Sequence, residues 1–314
     1  MSMAGGTGSG VGSYYTEFLN DMYERITICN NCIWPFKSGE VILQNYNFLL
    51  TLNKLYETSD SIILIENDIL NQICKRINTN PKKEITFDDL NLIAGHKLAS
   101  LIQPCSSTTF NSTQNYLNEI IGELCPNNDY KLLSLNNVPQ MSKESIAFST
   151  HKWASLYRNS KQLLYTGGYV DENESQNIET TNKSIGLCFF ARGGDLDIGL
   201  SNTINEHIDL INSYFDVNYL NKYFSTNLYG QLVHKPVKLW LTKRNFNNYD
   251  KNLTFLSNSQ APAFKIENLV SKAWQMFTQK AYLHHYVKYS NFDESLLLNS
   301  FIFAEQLIKN YKNI

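Results

Sequence analysis

Hydrophobic positions along the first eighty residues switch between helical spacing and short apolar runs, which predicts strand-then-helix units. Val11, Tyr14, Tyr15, Phe18, Leu19 and Met22 recur at helical spacing up to about Arg25, an amphipathic stretch that follows directly on a glycine-rich run. Residues 27–34 (TICNNCIW) read as a buried strand and 35–39 as a loop. A second helix is predicted over about 41–56, with Ile42, Leu43, Tyr46, Leu49 and Leu50 largely on one side. Residues 61–65 (SIILI) form a short apolar strand and 67–77 a helix, repeating the unit expected of a sheet with helices on both faces.

The pattern continues with a long, largely apolar helix over 87–103, which Thr86 can cap and whose first turn carries Asp88 and Asp89 at the positive end of the dipole. A polar loop at 106–114 precedes a short helix to Leu124, a strand near 130–135 and a helix over 151–164. Residues 166–183 are polar and glycine-containing, a surface loop or insertion by composition. Strands are predicted near 185–191, 236–242 and 253–257 with one helix between them, and two helices, about 266–286 and 293–312, close the chain.

Composition narrows this to a folded globular protein: 43% hydrophobic and 13% aromatic residues over 314 positions leave room for two or three cores. A formal charge of −2 gives no basic field for nucleic acid, and no apolar run nears the roughly 18 residues of a membrane span. Neither partner class is expected. The six cysteines are scattered as in a reduced intracellular protein, and the Cys29/Cys32 pair has no second pair at zinc-site spacing. His284 and His285 are adjacent on a predicted helix, so their side chains should diverge by about 100° and not share an ion.

The chemistry concentrates in Ala4-Gly5-Gly6-Thr7-Gly8-Ser9-Gly10. Closely spaced glycines let backbone N–H groups turn toward one centre, and a helix starting at once adds its positive end, which suits a phosphate. Thr7 and Ser9 can add hydroxyl bonds. A flexible terminus or a tight turn has the same composition. The run is neither a Walker A loop, lacking Gly-Lys-Ser/Thr, nor a G-x-G-x-x-G, and no strand is legible before it.

AGGTGSGVGSYYTEF resembles the phosphate loop and following helix of the tubulin family, whose signature is G-G-G-T-G-S-G, with Ala4 in place of the first glycine. The similarity continues through FLLTL, ENDILNQIC, FDDLNLIAG, SNSQA and KAWQMF–KAYLHHY, from residue 1 to about 311. WPFKSGEVILQNYN and VPQMSKESIAFSTHKWA resemble the delta branch, as does the absence of a glutamate-rich tail. The resemblance implies an α/β, tubulin-like fold: a partial Rossmann-type GTP-binding domain with the central helix (1–104), an α+β intermediate domain (105–260) and a C-terminal helical region (261–314). It also implies that the first strand, a glutamine-bearing phosphate loop and two further loops on phosphate and magnesium, about a third of a family member, are not in this sequence. One sheet edge is then expected to lack neighbours, and nucleotide binding to be weaker than in the longer form.

Carried over residue by residue, the resemblance implies a GTP site, with magnesium expected alongside the nucleotide. Ser2, Ala4, Gly5, Gly6, Thr7, Gly8, Ser9 and Gly10 would surround the phosphates, Asn67 and Asn91 would read guanine, Phe87 would stack on the base, and Gln44 would stand at a ribose contact. Read from the residues alone, a helix cap for Asn67, a solvated helix face for Asn91 and core packing for Phe87 are the favoured readings. Glu119, with Glu123 as rival, falls where the family places an acidic residue that helps activate water on the next subunit's nucleotide. The implied partners are other tubulins, microtubules and centriolar proteins; the implied setting is cytoplasm, cytoskeleton, centriole or basal body, and cilium. A structural subunit, a partner-dependent GTPase and a nucleotide-independent scaffold all remain open on the sequence.

Overall fold

A computed structural model describes residues 1–39, 41–78, 84–103, 105–107, 116–146, 148, 151–168, 182–196, 201–215, 237–289 and 292–314. Most of the predicted surface loop at 166–183 and of the polar loop at 106–114 lies outside them. The chain divides into two compact units: Met1–Asp68 with Asn127–Leu133 and Gln260–Ile314, and Ile69–Pro126 with Ser134–Ser259.

In the first unit a π-helical turn, Thr7–Val11, runs into α1 (Gly12–Met22), followed by β1 (Cys29–Trp34), α2 (Gln44–Thr58) and β2 (Ser61–Glu66). β1 and β2 pair in parallel, from Cys29 opposite Ser61 to Trp34 opposite Glu66. A strand also precedes the glycine run, where none was legible. Ser2 forms a parallel bridge with Ile33, the Ile33 N–H donates to the Met1 carbonyl at 2.8 Å, and Met3 N–H donates to Ile33 O at 3.3 Å. Three residues carry too little periodicity to announce a strand; their pairing with β1 makes it one. On the other side of β2, Ile62 N–H reaches Lys131 O at 2.8 Å.

The helices of this unit bury α2, whose Tyr46, Phe48, Leu49, Leu52 and Leu55 are at most 1% exposed. α9 (Ala261–Thr278) and α11 (Glu294–Lys312) contribute Ile266, Leu297, Phe301 and Ala304 to the same core, with the single turn α10 (His284–Val287) between them. Trp34 packs on Phe48 with ring centroids 4.5 Å apart. Val41 and Ile42, predicted within the second helix, precede it and are exposed.

The helix predicted over 266–286 is broken. α9 ends at Thr278; Lys280 takes a left-handed φ of 52°, and Ala281 N–H closes back on Met276 O at 2.9 Å. This is a Schellman closure made with lysine where glycine is usual, so the sequence carries no stop signal. The break also upsets the expectation for His284 and His285: at the head of one short turn their rings lie 4.2 Å apart instead of diverging.

The second unit holds most of α3 (Asn67–Ile77), then α4 (Phe87–Ile102), β3 (Ser106–Ser107), α5 (Tyr116–Leu124), β4 (Leu132–Val138), α6 (Lys143–Ile146) and α7 (Trp153–Tyr165). β5 (Ser184–Gly193), α8 (Ser201–Tyr214), β6 (Val237–Thr242) and β7 (Lys251–Ser259) complete it. Here the strands run in the order β4-β7-β5-β6-β3, antiparallel except for β5 beside β6. α7 and α8 cover a core centred on Phe189, Phe255, Leu156 and Phe215. Thr86 caps α4 through a reciprocal capping box with Asp89, as the pattern predicted. At the helix's other end the fully buried Arg192 donates to the carbonyls of Ser100 (2.8 Å) and Gln103, satisfying last-turn acceptors with a cation at the negative end of the dipole.

Replacing Lys280 by glycine removes the left-handed strain while leaving the closing bond intact. Lys280→Gly is expected to stabilise the fold by about 0.5–1 kcal/mol, read as a rise in urea midpoint at constant slope.

Candidate functional site

Three parallel segments of the first unit, residues 1–3, β1 and β2, present their carboxyl ends on one edge, where open α/β sheets place ligands. The glycine run follows Met3, the loop leading to Gln44 follows β1, and Asn67 follows β2 directly as the first residue of α3. The topology therefore gathers Ala4 through Gly10, Gln44 and Asn67 at one end of one layer.

The loop winds at once into the helix. Ser9 N–H is the first to bond back, to Gly5 O at 3.0 Å, while the N–H groups of Gly5, Gly6, Thr7 and Gly8 have no acceptor among the described residues. These are the donors that a helix start leaves for an anion. Gly8 is fixed by close approach: a Cβ there would sit 2.4 Å from Ser2 O and 2.8 Å from Ser2 N. Gly5, Gly6 and Gly10 instead face open space, with no atom within 4 Å of an added Cβ. Gly8 lets the loop lie on the preceding strand; the other three leave the backbone accessible.

The hydroxyls divide their work. Ser9 is buried and donates to Gly5 O at 2.7 Å, so it closes the turn instead of pointing outward; Thr7 is exposed. Ser2 Oγ accepts from Ala4 N–H at 3.3 Å. Ala4 is held further by two residues that the sequence did not single out. Asn47 of α2 donates its amide to Ala4 O at 2.7 Å, and Tyr286 of α10 donates its hydroxyl to Asn47 Oδ1 at 2.7 Å. Both lie in segments already marked by the family pattern, NYN and KAYLHHY, but nothing in their spacing points to the loop. Gly6, Ser9, Gly10, Asn47 and Tyr286 also line a cleft of about 480 Å³.

Gln44 is buried and donates to Phe36 O at 3.4 Å, tying down the loop after β1. Lys37 N–H in that loop donates to Asp68 Oδ2 at 3.0 Å, beside Asn67, which is itself buried. Beneath it, Glu66 at the end of β2 pairs with Lys265, both side chains 13% exposed.

In the second unit Phe87 and Asn91 stand four residues apart in the first turns of α4, on one face, both exposed. Phe87 is 64% exposed and does not enter a core. Glu119 is half-buried in the first turn of α5 and has no ion partner among the described residues, whereas its rival Glu123 bonds Lys238 at 3.1 Å. Among the described residues no three His, Cys, Asp or Glu side chains cluster as a metal site. In the Cys29/Cys32 pair burial pushes the Cys32 thiol up to about 12, so it is not a ready thiolate, while Cys29 is exposed. No described helix is long and apolar enough to cross a membrane.

A strand, a glycine turn whose N–H groups meet no acceptor among the described residues, and a helix, with an asparagine opening the next helix of the same sheet, make up an α/β layer of tubulin type. The profile of the Tubulin/FtsZ family, GTPase domain, matches residues 1–75. Over the whole chain, and over 69% of each relative's length, the sequence is 35% identical to the Tubulin delta chain of Homo sapiens, 36% to that of Mus musculus and 34% to that of Canis lupus familiaris. The chain belongs to the tubulin family, in its delta branch.

The two kinds of glycine can be told apart by adding one methyl group. Gly8→Ala is expected to lower thermal stability by several degrees, because backbone must shift. Gly10→Ala, in open helical space, is expected to leave stability unchanged or raise it by up to about 1 kcal/mol. Circular dichroism melts of the two variants check both.

Proposed function

We propose that the chain is a GTP-binding cytoskeletal subunit that works with other tubulins and microtubules, at the triplet microtubules of centrioles and basal bodies and in cilium formation. Association with centriolar proteins and a place in the cytoplasmic cytoskeleton, centriole and cilium go with that reading. The observation that carries the ligand is the row of backbone N–H groups from Gly5 to Gly8, which have no acceptor among the described residues, at the carboxyl end of a parallel strand. The delta-chain relatives support the cytoskeletal part of that setting.

In this reading the loop holds the phosphates through main-chain donors, with Thr7 as the available hydroxyl and Asn47 keeping Ala4 in place. Asn67 and Asn91 read guanine, whose edge offers both a carbonyl acceptor and N–H donors that a carboxamide can match. Phe87 supplies a face for stacking. Magnesium would be carried by phosphate oxygens and water, in keeping with how that ion usually binds.

A second reading, a GTPase completed across a subunit contact, is favoured by Glu119, which has no ion partner among the described residues. A carboxylate without an ion partner keeps its acceptor lone pairs for a water molecule. GTP bound to one subunit would then be hydrolysed only when the next subunit presents this carboxylate.

Calorimetry with GTP and ATP tests the first reading. GTP is expected to bind at least about tenfold more tightly than ATP, and Asn91→Ala, an exposed change, to remove most of that preference at a cost of about 1–3 kcal/mol. Equal affinities for the two nucleotides would overturn the assignment. Single-turnover hydrolysis with and without tubulin partners tests the second: Glu119→Ala should abolish the partner-dependent rate, and an unchanged rate refutes it.

A further inference from the structure

The carbonyl of Ala4 stands four residues before the N–H of Gly8, the spacing at which an α-helix joins the two groups. They are not joined. Ala4 O accepts instead from the Asn47 side-chain amide at 2.7 Å, and the first backbone bond of the helix is the next one along, Ser9 N–H to Gly5 O at 3.0 Å. Gly6, in the middle of the intervening residues, already has helical angles, φ −60° and ψ −44°. The helix thus starts one residue later than its neighbours in sequence would let it. Gly8 keeps an N–H with no acceptor among the described residues.

The direction of the Asn47 amide is fixed from behind. A carbonyl can only accept, so Asn47 must turn its N–H toward Ala4 O, and its own oxygen then faces the Tyr286 hydroxyl, 2.7 Å away. That hydroxyl must donate. Burial raises its pKa above the ordinary phenol range, so it keeps its proton. The Tyr286 ring is held edge-on by Tyr46, with centroids 5.9 Å apart, and lies 5.4 Å from Phe292. The residues before Asn47 reach the same part of the chain: Tyr46 donates its hydroxyl to Ala281 O at 3.1 Å, and Asn45 its amide to Met276 Sδ at 3.3 Å. Three successive residues of α2 therefore grip the break between α9 and α10, all within the first unit.

We propose that Asn47 and Tyr286 are positioning residues of the nucleotide site: by engaging the Ala4 carbonyl they keep the Gly8 N–H out of the helical ladder, as a donor for phosphate. This rests on the phosphate reading of the loop. Ala4 is 1% exposed, so its carbonyl cannot turn to bulk water if Asn47 is lost. The Gly8 N–H is the donor in helical register, and the carbonyl takes it. The helix gains a backbone bond and the site loses a donor. A residue that only held the fold together would loosen the loop instead, so the two roles move the Gly8 amide in opposite directions.

Amide exchange on the full chain labelled with ¹⁵N-glycine, in nucleotide-free buffer, is the test, with calorimetry of GTP binding beside it. Exchange at Gly8 is expected to slow by at least about threefold in Asn47→Ala, and GTP binding to weaken by about tenfold or more. Tyr286→Phe keeps the ring and removes only the hydroxyl; it should shift both readings the same way, and it decides the matter even where Asn47→Ala fails to fold. Adding Tyr286→Phe to Asn47→Ala should change neither reading further, since the tyrosine acts through the asparagine. Tyr311→Phe is the control. It removes a buried hydroxyl that accepts from Leu132 N–H at 2.9 Å in the same unit, and should lower the melting temperature while leaving Gly8 exchange and GTP affinity unchanged. Exchange at Gly8 that is unaltered or faster in both Asn47→Ala and Tyr286→Phe overturns the proposal, as does undiminished GTP affinity in a variant whose Gly8 amide has become protected. A wild-type chain that binds no GTP overturns the phosphate reading itself, through a different measurement from the one that tests the anchor.

Discussion

The constraint on which the loop depends is the approach of the first helical turn to the backbone of Ser2. Where Cβ of any other residue would stand, the position of Gly8 has Ser2 O at 2.4 Å. That contact forces the chain to turn from strand to helix with no intervening side chain. The turn leaves four consecutive N–H groups outside the helical ladder, and a protein cannot leave such donors idle without cost unless water or a ligand serves them. The surrounding bonds all serve the same geometry. Ser9 closes the turn on Gly5, Asn47 holds Ala4 by its carbonyl, and Tyr286 orients Asn47. A glycine loop that is elsewhere merely flexible is here anchored from α2 and α10.

The second unit meets a related problem at the opposite end of a helix. α4 is long and its last turn is buried, so its terminal carbonyls need donors that water cannot supply. Arg192 enters from β5 and takes two of them. Lys97 on the buried face of the same helix donates to Leu135 O and to the Asn136 side chain. Two cations thus sit in the interior against neutral acceptors, with α4 held from its flank and its end. Its first turns stay outside the core, so Phe87 and Asn91 remain available on a helix that cannot readily rotate.

What the sequence disclosed follows from how local the determinants are. β1, β2, α3 and α4 were legible within a residue or two, because each has a clear period and a cap or turn at its limits. The strand at residues 1–3 was not, since only pairing with β1 makes it one. Nor was the end of α9, because the left-handed position is filled by Lys280 and the sequence marks helix ends by glycine or proline. For the candidate site, the family pattern is what singled out the glycine run, Asn67, Asn91 and Phe87. Asn47 and Tyr286 escaped it because their contribution is a hydrogen-bond relay between residues more than two hundred positions apart. The sequence put Glu119 ahead of Glu123 only by alignment to the family pattern. The ion pair with Lys238 depends on a strand far along the chain, and only three-dimensional placement shows which carboxylate is already engaged.

The amphipathic reading of α1 was right about the period and silent about the direction. Apolar residues at helical spacing make one side of a helix differ from the other; the spacing does not dictate which side meets the fold. Large apolar residues are ordinarily the inward side because burying each is worth about 1.5–3 kcal/mol. Here three small hydroxyl residues, Ser9, Ser13 and Thr16, take that place, because the helix must begin in contact with Ser2 and then lie close to α2. Tyrosines or phenylalanine on that side would lift it away from the strand and pull the loop off its anchor. The geometry that leaves the Gly5–Gly8 N–H donors outside the helical ladder therefore also fixes which side of α1 can be buried. The outward-facing apolar side chains of α1 are the consequence.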